Sequence, residues 1–407
     1  MGVALPAAVD APDAPDEPLN ELEALAGTLG FEVVHSIMQT RHAPDTRTYI
    51  GKGKIQELQH FIARHDVDHI MFDNDLSPKQ SQVLEQELSC SVWDRTQVIL
   101  EIFARHARTA EAKVQVELAS LKYLLPRLVG LWGHLDREKG GISASRGMGE
   151  KQVAIDRRIV RNRISKLEKS LQKFVSERQV RKNGRKNFFQ VVLVGYTNAG
   201  KSTLMNLLTG SRLPAEDQLF ATLDSTTRRI KGVTKPDVLV SDTVGFIRSL
   251  PHGLIASFHS TLDVVREADL LLHVVDVSHP DMEQHITTTN GVLEELGATD
   301  IPRLVVFNKT DRYHDDIGRI IIEKRHAPCV FVSALAPASG ELMCGKIREC
   351  LQRHFFSRII KLPYSKCDSL AELYAYSIVD DIDYKEDAIY VNCTFSQAQK
   401  TRFAELI

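Results

Sequence analysis

Cysteine is scarce in this chain: six occur in 407 residues, and no two are spaced C-x-x-C. Cys90, Cys329, Cys344, Cys350, Cys367 and Cys393 are read as reduced thiols, which excludes a disulfide framework and supports no zinc site. No apolar run reaches the roughly 18 residues of a membrane span, and no charged-then-apolar leader opens the chain. An excess of one charge is also missing: 51 Lys and Arg face 53 Asp and Glu, so the total of −2 selects no partner. Hydrophobic residues at 43% and charged residues at 26% are ordinary for a globular protein, and the length allows two to four domains. The expected location is the cytoplasm, with peripheral membrane association as an alternative.

The distribution of residues says more than the totals. Residues 1–25 hold six acidic residues, no Lys or Arg, and Pro6, Pro12, Pro15 and Pro18, which predicts a disordered acidic tail up to residue 27. From 28 to 108 the pattern alternates, with strands expected at 31–34 and 69–72 and helices at 54–64 and 78–88, a small α/β domain. Between 109 and 186 the period changes. Val114, Leu118, Leu121, Leu125, Leu128, Trp132 and Leu135 follow spacings of four and three, as do Val160, Ile164, Leu167, Leu171 and Phe174. Two such stretches joined by a glycine-bearing loop predict an antiparallel helical hairpin, kinked at Pro126. Residues 187–357 alternate apolar strands (191–194, 238–241, 270–277, 304–308 and 330–333) with helical segments. The tail, 358–407, shows strand-like 375–379 and 389–394. No internal repeat is present.

Chemistry concentrates in the fourth of these regions. Gly195-Tyr196-Thr197-Asn198-Ala199-Gly200-Lys201-Ser202 fits G-x-x-x-x-G-K-[ST] between an apolar strand and a helical segment. Backbone N–H groups of such a loop face a phosphate, Lys201 reaches the outer phosphates, and the Ser202 hydroxyl suits Mg²⁺. Asp242-Thr243-Val244-Gly245 is D-x-x-G at a strand end. Asp242 is placed to hold Mg²⁺ through water, and the Gly245 N–H to sense a γ-phosphate. Asn308-Lys309-Thr310-Asp311 is N-K-x-D, again at a strand end, where ligands of open α/β sheets sit. The Asp311 carboxylate can accept from the N1–H and 2-amino group of guanine. Adenine offers neither donor, and an unpaired buried group costs about 1–3 kcal/mol, so GTP is expected over ATP. Ser333-Ala334-Leu335 follows the next strand, where the Ala334 N–H could support the base.

A switch loop must supply a threonine to Mg²⁺ and the γ-phosphate. Thr222, Thr226 and Thr227 all qualify, and spacing does not choose among them. Phe246 stands after Gly245, where many GTPases carry a water-orienting Gln. Phe246 cannot orient water, so intrinsic turnover should be slow and completed by a partner or a cation. The Asn198 amide could join K⁺ in that role, or it could merely cap the loop. Gly51-Lys52-Gly53-Lys54 is too short for a second phosphate loop. It reads as a basic turn before a helix, with RNA phosphate contact as an alternative. The fold class expected is α/β, a P-loop doubly wound GTPase domain preceded by the small α/β domain and the hairpin, with a small α+β C-terminal appendage.

Taken together, these motifs and their flanks resemble the HflX family of translational GTPases over about residues 30–390. Arg47-Thr48-Tyr49-Ile50-Gly51-Lys52-Gly53-Lys54 is similar to the family's N-terminal signature. Asp94-Arg95-Thr96 with Ile99-Leu100-Glu101-Ile102-Phe103-Ala104 is similar to its next one. Gly140-Gly141-Ile142 and Gly147-Met148-Gly149-Glu150 resemble its glycine-rich loop. Phe220-Ala221-Thr222-Leu223-Asp224 resembles its switch I, which favours Thr222 as the Mg²⁺ ligand, and Phe246 fits the family's hydrophobic residue at that position. This chain departs from the family's G-P-G-E-T at Gly147-Met148-Gly149-Glu150-Lys151, and from its usual Pro at Ser225.

The resemblance implies a cytoplasmic, monomeric GTPase that binds the large ribosomal subunit in its GTP form and splits or rescues stalled ribosomes under stress. The alternatives are a GTPase of ribosome assembly or RNA modification, or a GTP-switched scaffold. The catalytic residues expected are Lys201, Thr222 and Gly245, with Ser202 and Thr222 as metal ligands. An RNA partner has independent support: residues 151–186 hold thirteen Lys or Arg against three Asp or Glu. Arg157, Arg158, Arg161, Arg163, Lys166 and Lys169 leave the apolar seam free, which suits phosphate contacts. The loop 140–149 with Arg146 would form a tip able to enter a folded RNA cavity.

Overall fold

The computed structural model of the chain describes residues 2–4, 19–128, 146–183, 188–211, 219–220, 226–234, 237–248, 259–353 and 355–396. They fall into two compact units. Unit 1 comprises Met1–Val175 with two later stretches, Asp217–Asp224 and Arg248–Ser260; unit 2 comprises Ser176–Glu216, Ser225–Ile247 and Thr261–Ile407.

In unit 1 two short parallel pairs form, β1 (Gly2–Ala4) with β2 (Met38–Thr40) and β3 (His69–Met71) with β4 (Ser91–Trp93). The helices are α1 (Asn20–Thr28), α2 (Lys52–Arg64), α3 (Pro78–Leu88), α4 (Arg95–His106), α5 (Ala110–Leu124) and α6 (Arg146–Asn183), whose last turns pass into unit 2. Ile50, Ile55, Leu58, Phe72, Leu84, Leu88 and Val92 form the core of the α/β part. Local chemistry sets the helix starts. Ser77 Oγ accepts the Gln80 N–H while Gln80 Oε1 accepts the Ser77 N–H at 2.9 Å, with Pro78 at the first helical position. Asp94 caps α4 by accepting the Gln97 N–H at 2.9 Å, and also pairs with Arg127 at 2.8 Å. Bidentate bonds from Arg163 to Glu117 and the pair Lys122–Glu168 tie α6 to α5.

Several expectations for this unit change. Residues 20–27, expected within the acidic tail, are helical: α1 forms because Leu22, Leu25 and Ala26 bury one face while Glu21 and Glu23 sit in the first turn, where the helix dipole favours them. Residues 31–34 are irregular rather than a strand. Phe31 packs edge-on against His69 and Trp93, but Val33 and Val34 are 42% and 60% exposed, so no buried face alternates with a polar one. Helix α5 stops before Pro126 instead of kinking through it. Of the tip loop, 140–145 lies outside the described residues, and 146–149 are already the first turn of α6.

In unit 2 six strands form one sheet in the order β10-β9-β8-β5-β7-β6. They are β5 (Phe189–Val194), β6 (Thr226–Thr234), β7 (Asp237–Asp242), β8 (Leu270–Asp276), β9 (Arg303–Asn308) and β10 (Cys329–Phe331). All neighbours are parallel except β6 and β7. The antiparallel edge β6 was not anticipated, because Thr226-Thr227-Arg228-Arg229 carries no apolar run of a buried strand. Helices α7 (Lys201–Thr209), α8 (His259–Arg266), α9 (Met282–Glu295), α10 (Asp316–Arg325) and α11 (Ala338–Arg353) accompany the strands. Leu193, Leu204, Val240, Leu272, Val274, Val306 and Met343 fill one core, and Val275, Ile286, Phe307 and Ile322 a second. The first strand, β5, is central, and the chain moves from it to β7 on one side and β8 on the other. That reversal creates a crevice at the strands' carboxyl ends.

The C-terminal appendage is an antiparallel sheet in the order β11-β13-β12, with β11 (Phe355–Leu362), α12 (Asp368–Tyr376), β12 (Ile378–Tyr384) and β13 (Ile389–Ser396). The strand expected at 375–379 begins only at Ile378, since α12, anchored by buried Leu373, runs to Tyr376. Among the described residues no helix is long and apolar enough to cross a membrane.

Candidate functional site

The crevice of unit 2 brings three sequence motifs together. β5 ends at Val194, the loop 195–200 turns, and α7 begins at Lys201. Gly200 has φ +89°, and a Cβ there would collide with the Asn308 amide, so this turn needs glycine. Lys201 is 7% exposed, and its Nζ donates to the carbonyl oxygens of Gly195 at 3.1 Å and Tyr196 at 2.7 Å. Burial pushes its pKa down to about 8, against the pull of the Asp242 carboxylate. The cation is held by neutral carbonyls, so a phosphate would supply the negative charge it lacks. The Thr197 hydroxyl is also buried with no hydrogen-bond partner among the described residues, and a phosphate oxygen would suit it.

Asp242 ends β7, wholly buried, and accepts a hydrogen bond from Ser202 Oγ at 2.6 Å. A hydroxyl and a carboxylate oxygen side by side are the hard donors that Mg²⁺ prefers, with water and substrate oxygens completing its shell. Among the described residues no group of three or more His, Cys, Asp or Glu could hold a metal. Thr243 Oγ1 donates to the Leu193 carbonyl at 2.7 Å, and Val244 is buried beside it. Gly245 lies against the phosphate loop: a Cβ there would fall 2.8 Å from Thr197 Cα and 2.9 Å from Lys201 Nζ. The next residue pairs with the loop through its backbone. The Phe246 N–H donates to the Gly195 carbonyl at 3.0 Å, and the Thr197 N–H donates to the Phe246 carbonyl at 2.8 Å. The Phe246 ring is 1% exposed.

Asn308, at the end of β9, joins the motifs. Its Nδ2 donates to the Ala199 carbonyl at 2.9 Å, and its Oδ1 accepts the Ala334 N–H at 2.9 Å. That N–H, the candidate support for the base, orders Asn308 here. Lys309 takes a left-handed conformation, φ +61°, and its Nζ pairs with Asp276 at 2.8 Å. Thr310 opens a short 3₁₀ turn. Asp311 stays exposed, and its Oδ1 accepts from Ser333 Oγ at 2.6 Å, which holds the carboxyl below its usual range and keeps it an acceptor. Leu335 is 75% exposed. Asn198 is exposed at φ +58°. Of the switch I residues, Phe220 is described, buried and at φ +58°; Ala221, Thr222, Leu223 and Asp224 lie outside the described residues.

Two features had no sequence signal. Tyr196 in the phosphate loop stacks on His285 of α9, centroids 3.7 Å apart and rings 11° from parallel, and His285 in turn meets His279. Asp276 neutralises Lys309 from the end of β8.

Residues 16–104 match the family described as GTP-binding GTPase N-terminal, 106–185 the GTP-binding GTPase Middle Region, and 190–309 the 50S ribosome-binding GTPase. The GTPase HflX of Alkalihalophilus pseudofirmus is 51% identical over 299 residues, 73% of this chain and 70% of that protein. The GTPase HflX of Escherichia coli is 41% identical over 372 residues, 91% of this chain and 87% of that one. That of Caldanaerobacter subterraneus is 41% identical over 395 residues, 96% and 90% of the two chains. The solved SsGBP–GDP complex aligns with a TM-score of 0.48 at 26% identity, covering 86% of this chain and 98% of that one.

Proposed function

The chain belongs to the HflX family of GTPases, and on that premise we propose that it binds the large ribosomal subunit in its GTP form and splits or rescues stalled ribosomes under stress. It hydrolyses GTP. The observation that carries the nucleotide part is Asn308, whose amide joins the phosphate loop at Ala199 to the base-reading strand exit at Ala334. Asp311, kept ionised by Ser333, reads guanine, and Lys201 stabilises negative charge on the outer phosphates. Ser202 and Thr222 are the metal ligands, with Asp242 holding a metal-bound water. Mg²⁺, when bound, offsets charge on the β- and γ-phosphates.

Phe246 has neither a polar group nor access to water, so it cannot orient the attacking water. Slow turnover alone and stimulation by a partner follow. Asn198, exposed in the phosphate loop, is the candidate K⁺ ligand; equal turnover in Na⁺ and K⁺ would remove it. The ribosomal part rests on the family described for residues 190–309 and on the basic helix α6, where Arg157, Arg158, Arg161 and Lys169 accompany Arg163 and Lys166. The protein acts as a monomer in the cytoplasm.

Gradient sedimentation tests this directly. Intact ribosomes are mixed with the full chain and a non-hydrolysable GTP analogue. Conversion to subunits is expected. Binding to immature particles alone would favour an assembly role, and no association would leave a nucleotide-switched scaffold.

A further inference from the structure

Within unit 1, the irregular segment 31–36 forms one wall of a cavity of about 450 Å³. One side of α1, the later turns of α2 and residues 66–71 complete the lining. The volume falls in the range of about 300–1,000 Å³ typical of sites for small organic molecules. The floor is apolar: Leu22, Ala26, Ile37, Leu58 and Ile70 line it and are buried. Phe31, Phe61, His35 and His69 add flat ring surfaces. Val33 and Val34, exposed to solvent for want of a strand, line the same cavity.

The charged part of the lining has one sign. Glu23, Glu32, Asp66 and Asp68 contribute four carboxylates, and no Lys or Arg is among the lining residues. Glu32, Asp66 and Asp68 are exposed, which puts their charge at the mouth. No ion pair among the described residues neutralises these three. Glu23 accepts a hydrogen bond from Ser36 Oγ, which ties the irregular wall to α1. His69 brings a second, independent feature. Its Nδ1 is buried with no hydrogen-bond partner among the described residues, and its ring is held 5.0 Å from that of Phe31 and 4.7 Å from that of Trp93. A ring nitrogen left in that state is completed by a ligand group or a water.

A charge that leaves water for such a cavity is costly unless an opposite charge meets it. Here a cation meets four carboxylates, whereas an anion, a phosphate included, meets only its own sign. The apolar floor and the rings favour a flat hydrophobic body behind that charge. We propose that this cavity binds a small organic cation, an aryl-alkyl ammonium or amidinium compound whose ring lies on the floor and whose charge meets the carboxylates at the mouth. The site shares no residue with the nucleotide crevice of unit 2.

The test is ligand-observed NMR titration of the full chain with tryptamine and with indole-3-propionate, an anion of nearly the same shape. An exposed ion pair is worth about two- to fivefold, and four carboxylates act together. Tryptamine is therefore expected to bind at least about tenfold more tightly than indole-3-propionate. Asp66→Asn combined with Asp68→Asn removes two exposed charges, and thermal unfolding checks that the fold is kept. This pair should weaken tryptamine about 4- to 25-fold without weakening indole-3-propionate. Glu32→Gln, on the irregular wall, should weaken tryptamine about two- to fivefold and decides the matter should the double variant not fold. Equal affinity for the two compounds, no binding of tryptamine at millimolar concentration, or an unchanged tryptamine affinity in a folded variant overturns the proposal.

Discussion

Lys201 and Arg95 are both buried cations, one in each unit, and their surroundings are opposite. Lys201 is bonded to two neutral carbonyl oxygens, while the Asp242 carboxylate nearby is shared with Ser202. Arg95 is met by two carboxylates and a carbonyl. The Lys201 pKa falls to about 8 because burial outweighs its one attraction. A ligand site keeps a cation short of countercharge so that an anion can complete it. A structural clamp neutralises its cation in advance, and removing one partner strands the others.

The largest way to break this contrast is Lys201→Ala. Losing a buried charge partner of the phosphates should weaken GTP and GDP about 30- to 5,000-fold by calorimetry. Arg95→Met should be silent at the phosphates themselves but destabilise unit 1 by about 3–5 kcal/mol in denaturant unfolding, because Glu21 and Asp73 are left with too little positive charge. Asp311→Asn should cut discrimination between GTP and ATP about 5- to 150-fold in a competition assay, the worth of one lost set of base contacts. The smallest effect is the pH dependence. The folded Lys201 pKa lies below its unfolded value, so above pH 8 the unfolded chain binds the extra proton. Nucleotide-free stability from this group therefore rises between about pH 8 and 10.5. GTP affinity moves the other way, falling by up to about tenfold per pH unit as the lysine must be recharged to bind.

The two regions were not equally legible in the sequence. The phosphate loop, Asp242 and Asn308 are local patterns whose spacing states their geometry, and the strands that present them are continuous apolar runs. The clamp has no such spacing: Arg95 lies 74 residues from Glu21, 22 from Asp73 and 153 from Arg248. A single arginine in a helix start looks like an exposed charge until its partners arrive through the fold. The resemblance pointed to the segment but gave no physical reason for it. Helix α1 was hidden for a related cause, since its acidic residues and neighbouring prolines mask Leu22 and Leu25 until these find a core. The bond from the Ala334 N–H to Asn308 Oδ1 was equally hidden, because it joins two strand exits 26 residues apart.

Thermal unfolding of the wild type and Lys201→Ala, each with and without GDP, tests the contrast most directly. An under-compensated cation costs the nucleotide-free fold and gains from its ligand. Lys201→Ala should melt at the same or a higher temperature than wild type without GDP, and gain nothing when GDP is added. A variant that melts well below wild type without nucleotide, yet is still raised by GDP, would contradict it.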